Sequence, residues 1–119
     1  MRSFNKYNDL KFRNAPSKLE SALGDMLRQR EFSGEIKNIL TQQTVVLQEG
    51  KQNQRITWRV DYSYVECESE EVCLAEAKGF ATDVYKLKLK LYRANPKFKR
   101  LEIWGGSYKS LKLIEVIER

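Results

Sequence analysis

The chain contains no histidine, and only two cysteines and two prolines, among its 119 residues. Without imidazole, Ser-His, Cys-His and HNH-type hydrolysis are excluded, so any hydrolytic step must rest on carboxylates, lysines and a metal ion. A structural zinc site would have to complete Cys67 and Cys73 with carboxylates, and zinc is not expected. No apolar run approaches the length of a membrane span, and the N-terminus lacks the apolar segment of a signal peptide. A cytoplasmic protein with no membrane partner is the expectation. Repeats, low-complexity tracts and interdomain linkers are missing too, so 1–119 reads as a single domain, with a basic arm over 1–15 and a core over 16–119. The 41% hydrophobic content is enough to build one core at this length.

Charge is plentiful and unevenly placed. The formal net charge is +6. From Val84 to Leu101 there are seven basic residues (Lys86, Lys88, Lys90, Arg93, Lys97, Lys99, Arg100) and no acidic one, and Arg2, Lys6, Lys11 and Arg13 outnumber Asp9 near the N-terminus. A phosphate backbone is the natural partner of such a run, and a solvated lysine face is the alternative. Lys86, Lys88, Lys90 and Arg93 are the candidate DNA contacts. Tyr85, Tyr92 and Phe98 interleave with them, available either for stacking on bases or for core packing.

Periodicity divides the core into elements. Pro16-Ser17 opens a helix on which Leu19, Leu23, Met26 and Leu27 share a stripe, and Ser17 with Glu20 has the S-x-x-E form of a capping box. After a turn near Ser33-Gly34, Ile39 to Leu47 reads as a strand, closed by Glu49-Gly50. Arg55 to Tyr64 alternates, with Ile56, Trp58, Val60, Tyr62 and Tyr64 on one face and Asp61 on the polar face. Glu66, Glu68, Glu70 and Glu71 make a hairpin tip, followed by a strand over Val72 to Lys78. Thr82 to Asn95 fits either period, but its length, its Lys and Leu content and the stripe Val84, Leu87 and Leu91 favour a helix, capped by Thr82 or Asp83 and stopped at Asn95-Pro96. Leu101 to Trp104 is a strand closed by Gly105-Gly106, and Leu111 to Ile117 a last short strand. The order is αβββαβ(β), an α/β fold.

Within this order the candidate chemistry is Asp61 together with Glu76-Ala77-Lys78. Strand residues repeat every two positions, so Glu76 and Lys78 project from one face, a carboxylate beside an ammonium. Mg²⁺ takes a few carboxylate oxygens, keeps several waters and accepts phosphate oxygens for the rest of its shell, with Mn²⁺ able to substitute. Asp61 shares the face of Glu76 and Lys78 only where the index sum of facing residues is odd, for example with Asp61 opposite Lys78 and Ser63 opposite Glu76. That register separates Cys67 from Cys73, so barring a bulge this site and a Cys67–Cys73 disulfide exclude each other. On its own, E-x-K also suits a cross-strand pair on a solvated strand.

The order of Ser17-Lys18-Leu19-Glu20 on a first helix, Val60-Asp61-Tyr62, Ala75-Glu76-Ala77-Lys78-Gly79 and a following basic helix resembles the PD-(D/E)XK nuclease superfamily. Within it, the chain is similar to phage endonuclease I-type Holliday junction resolvases and to small phage proteins with a K-G-F-x-T-D-V-Y-K run, here beginning at Lys78. The resemblance covers roughly Phe12 to Trp104. It implies a restriction-endonuclease-like αβββαβ core with a central mixed sheet flanked by helices, metal held by Glu20, Asp61 and Glu76, and Lys78 as the catalytic lysine. Val60 stands where the family name has proline, and the basic C-terminal extension of the resolvases is missing, which bears on junction specificity. Glu20 is then either a metal ligand or only a helix cap.

The function expected is Mg²⁺-dependent DNA phosphodiester cleavage, selective for branched DNA. The resolvases are dimers with intertwined strands, which implies a homodimer sharing the Ile39 to Leu47 strand and, for a phage-encoded chain, residence in the host cytoplasm. Alternatives are a catalytically silent DNA-binding module, a monomeric single-strand or flap nuclease, and a phage protein whose basic face binds acidic partners.

Overall fold

The computed structural model describes residues 17–51 and 54–119. The basic arm expected over 1–15 lies outside the described residues. The elements are α1 (Lys18–Phe32), β1 (Ile36–Gln48), β2 (Ile56–Glu66), β3 (Val72–Ala77), α2 (Asp83–Ala94), β4 (Arg100–Ser107) and β5 (Ser110–Ile117). Both helices begin at the expected caps. Ser17 Oγ accepts from the Glu20 N–H at 3.0 Å, and Thr82 Oγ1 accepts from the Tyr85 N–H at 3.1 Å.

The strands form one sheet in the order β1-β2-β3-β4-β5. The first three are an antiparallel meander; α2 then crosses over to bring β4 parallel to β3, and β5 returns antiparallel to β4. This is the α/β order expected, a mixed sheet with two helices. One apolar cluster gathers Leu23 and Leu27 of α1 with Ile36, Tyr62, Tyr64, Cys73 and Ala75. The other gathers Tyr85 and Tyr92 of α2 with Leu47, Trp58, Val60, Leu74, Leu101, Ile103 and Ile117.

Four details differ from the sequence reading. Trp58, Val60, Tyr62 and Tyr64 have one parity in β2, yet the first two pack in the α2 cluster and the last two in the α1 cluster. The long β1–β2 ribbon supplies the cause, because two-stranded ribbons twist most strongly and carry one row of side chains from one layer to the other. Asp61 sits at the changeover.

On α2, Val84 and Leu87 face solvent, and of the expected stripe only Leu91 packs on the core. Tyr85 and Tyr92 take the inward positions, each edge-on to Trp58 with centroids 5.8 and 5.7 Å apart, and Tyr92 stacks on Phe98 at 4.9 Å. Two aromatic rings bury more apolar area than two aliphatic side chains, so the helix turns to their side. Tyr85, Tyr92 and Phe98 are core residues.

Gly105-Gly106 does not close β4. The strand runs on to Ser107 and pairs Gly105 with Lys112 and Gly106 with Leu111. Gly106 has φ +87°, and a Cβ there would stand too close to the Ser110 carbonyl, so glycine serves the irregular hairpin.

The β2–β3 register is odd, as the site requires, but Tyr62 faces Ala75 and Ser63 faces Leu74. Continued one step, that register sets Asp61 against Glu76, one of the odd pairings, rather than against Lys78 as in the example. Short hairpin tips fix register tightly, and six residues rather than eight separate the last paired positions, Val65 and Val72.

Candidate active site

The paired ladder of β2 and β3 ends at Tyr62–Ala75, although both strands continue. Past that point two side chains take over the bridging. The Asp61 N–H donates to Glu76 Oε1 at 3.0 Å, and the Ala77 N–H donates to Asp61 Oδ2 at 2.9 Å. Each carboxylate thus spends one oxygen on the opposite backbone, which pins both side chains at the fork between the strands. β3 meanwhile stays on β4: Glu76 faces Ile103, and the Lys78 N–H donates to the Trp104 carbonyl at 2.9 Å.

Lys78 completes the cluster. Its Nζ lies 3.7 Å from Glu76 Oε2 and 4.7 Å from the centre of the Tyr85 ring. The aromatic face and the carboxylate hold the ammonium from two directions, with a third of the side chain still open to solvent. Glu76 itself is 4% exposed.

Electrostatics mark this place. Burial, and then the neighbouring Asp61 charge, push the Glu76 carboxyl up to about 8. Burial also raises Asp61, against the Ala77 N–H, a hydrogen bond from the Glu76 carboxyl and the Lys78 charge, which favour its charged form. Near neutral pH the site therefore holds a proton on Glu76 beside the Asp61 charge and the Lys78 ammonium, and a cation that binds both carboxylates has to displace that proton.

Glu20 stands nearby in a different state. Its backbone N–H occupies Ser17 Oγ and its carboxylate accepts in return from the Ser17 backbone, as the S-x-x-E pattern requires, while Oε2 also accepts from Gln42 Nε2 at 3.0 Å. Burial and the Asp61 charge both raise its carboxyl. Its carbonyl accepts from the Tyr62 hydroxyl at 3.0 Å, which ties α1 to β2 one residue from Asp61. Gly24 makes room for that hydroxyl, since a Cβ there would strike it. Among the described residues no group of three His, Cys, Asp or Glu side chains is arranged to hold a metal ion. Mg²⁺ held by one or two carboxylates and completed by water and phosphate asks for less than such a group, and Asp61 with Glu76 fits that donor set.

Asp61, Glu76 and Lys78 are therefore brought together, and Glu20 is adjacent but engaged by Gln42. The four candidate DNA contacts divide. Lys86, Lys90 and Arg93 recur every three to four residues on one exposed stripe, whereas Lys88 is half-buried on the other side of α2. Arg93 pairs with Glu115, and among the described residues Lys86, Lys88 and Lys90 have no ion-pair partner. Gln42, Tyr62 and Tyr85 were not assigned to the site from the sequence. Gln42 occupies a left-handed position in β1 (φ 53°), which nothing in its local sequence signals, while Tyr85 belongs to the K-G-F-x-T-D-V-Y-K run.

No curated protein and no solved structure matches the chain. A family model does, over residues 5–117, and the chain accordingly belongs to the family described as "Protein of unknown function (DUF1064)".

Proposed function

We propose that the chain is a Mg²⁺-dependent endodeoxyribonuclease of the PD-(D/E)XK type, with Asp61, Glu76 and Lys78 at the reacting phosphate. One observation carries the reading: the buried Glu76 and the half-buried Asp61, each locked by the opposite strand's backbone, share a fork with a lysine ammonium, and Glu76 is pushed up to about 8. A divalent cation bound by the two carboxylates would displace the Glu76 proton and take over its role in easing their repulsion. When bound, Mg²⁺ supplies Lewis-acid polarisation of the phosphoryl oxygens and lowers the pKa of attacking water. Asp61 and Glu76 would hold it, their orientation fixed by the N–H groups of Ala77 and Asp61. Lys78 presents a compact cation and proton donor to the phosphate, steadied by the Tyr85 ring. Lys86 and Lys90 extend positive charge along α2 for the DNA backbone. The observed strand and helix order agrees with the order the PD-(D/E)XK resemblance implies.

For opposed cuts in branched DNA we propose a two-fold homodimer formed along the outer edge of β1, an edge strand in this sheet. The Gln42 bond to Glu20 favours a second reading, DNA binding without cleavage, because it engages a carboxylate that would otherwise serve the cation. Incubation with four-way junction, flap, single-strand and duplex DNA in Mg²⁺, Mn²⁺ or EDTA separates the two. The nuclease reading expects cleavage that EDTA abolishes; binding with no cleavage of any substrate supports the second reading.

A further inference from the structure

A cavity of about 320 Å³ opens beside the carboxylate fork, and Lys78 belongs to both. Its other walls include Ala81, Leu89, Ile103, Gly105 and Ile114, with Tyr85 at the side carrying the Lys78 ammonium. The volume equals roughly ten water molecules at their liquid volume, held against mostly apolar surface. The Tyr85 hydroxyl is buried with no hydrogen-bond partner among the described residues. Gly105 keeps one wall thin: a Cβ there would come within 3.0 Å of Ile114 Cγ1 and 3.3 Å of the Lys78 carbonyl.

Resting on the phosphodiesterase reading, we propose that this cavity receives the nucleobase adjoining the scissile phosphate, swung out of its stack, so that the preferred substrate is DNA unpaired at the cut. A phosphate at Lys78 leaves the adjoining base one sugar away, within the span of a wall that Lys78 itself begins. Aliphatic walls suit the flat face of a base without reading its identity. Extruding a base costs least where it is mismatched or already single-stranded. The cavity therefore converts a sequence-blind phosphate site into one that selects local unpairing.

The test compares cleavage of a fully paired duplex with the same duplex carrying a short unpaired patch, in Mg²⁺, by the unaltered chain and by Ala81→Trp. Ala81 is exposed and lies off the carboxylate fork, so a large side chain there fills the cavity from its mouth. The unaltered chain should prefer the unpaired patch by about tenfold or more, and Ala81→Trp should bring the two rates together. A second measurement does not depend on that variant: 2-aminopurine next to the mapped cut should change its emission when Glu76→Gln binds in Ca²⁺, because the base leaves its stack. Equal rates on paired and unpaired DNA, a preference that survives in folded Ala81→Trp, or unchanged 2-aminopurine emission in the bound complex overturns the base-pocket inference and leaves the nuclease reading standing. No cleavage of any substrate by the unaltered chain overturns both.

Discussion

Glu76 and Glu102 are buried to nearly the same degree on adjacent strands, one at 4% and the other at 5% exposure, and the protein treats them oppositely. Glu102 has its charge answered: Arg100 Nη1 lies 3.1 Å from Oε2, and the Trp104 Nε1–H donates to Oε1 at 3.3 Å. Glu76 meets a second carboxylate and an ammonium 3.7 Å away. A carboxylate that only holds strands together is given a matched cation and an indole donor. One that is buried beside a second carboxyl instead holds its proton up to about pH 8, and a cation that both can bind would displace that proton. The contrast locates the functional site more sharply than burial does.

The largest stability effect should come from the satisfied carboxylate. Glu102→Ala leaves the indole N–H and part of the Arg100 guanidinium without a partner, at a cost of about 3 kcal/mol in a denaturant titration. The residual Arg100–Glu118 pair, at 3.1 Å, keeps the loss from being larger. Full stability in Glu102→Ala would erase the contrast.

The pH dependence should be set by the other carboxylate. The folded-state value of Glu76 is raised from 4.5 to about 8, so its contribution is fully present below about 4.5 and is lost as pH rises through about 8. Asp61 is raised as well and acts in the same direction. Without divalent cation, the melting temperature should fall by several degrees between pH 5 and pH 8. Glu76→Gln, which cannot ionise there, should flatten that decline, and Glu102→Gln should not.

A smaller effect sharpens the position of α1 against the fork. Glycine inside a helix normally gives way to alanine with a gain of about 1 kcal/mol. At Gly24 the sign should reverse to a loss of about 1 kcal/mol, because the new methyl displaces the Tyr62 hydroxyl from the Glu20 carbonyl. Thermal melting of Gly24→Ala reads the sign directly. The smallest effect lies on the surface: replacing Lys86 and Lys90 together by Ala should reduce the slope of log affinity against log salt by up to about 1.8 on duplex DNA, while Lys88→Ala should change it less.

Much of this architecture is legible in the residues, and the failures have physical causes. Ser17 and Thr82 announce their helices because a side-chain oxygen there satisfies an otherwise orphaned N–H. The odd register of β2 and β3 follows from where Asp61 and Glu76 must both point, but its value depends on how tightly the acidic tip turns, which no side-chain pattern encodes. Val84, Leu87 and Leu91 and the pair Tyr85 and Tyr92 all have helical spacing, so periodicity allows either face to turn inward; only the rings already waiting at Trp58 and Phe98 decide it. Trp58 and Tyr62 alternate perfectly and still serve different layers, since twist accumulates over a ribbon and period-two counting ignores it. Within the site, Asp61, Glu76 and Lys78 were readable as a spacing. The hold of Gln42 on Glu20 spans two elements and a left-handed residue, and was not.

The most direct measurement sets the two glutamates side by side: relaxation of supercoiled plasmid in Mg²⁺ by the unaltered chain, Asp61→Ala, Glu76→Gln, Lys78→Ala and Glu102→Gln, each at equal folded concentration. The account predicts that the unaltered chain and Glu102→Gln cut at comparable rates and that the three fork variants each lose cleavage by about a thousandfold or more, since members of one catalytic unit fail together. Cleavage by Glu76→Gln at the rate of the unaltered chain would contradict it.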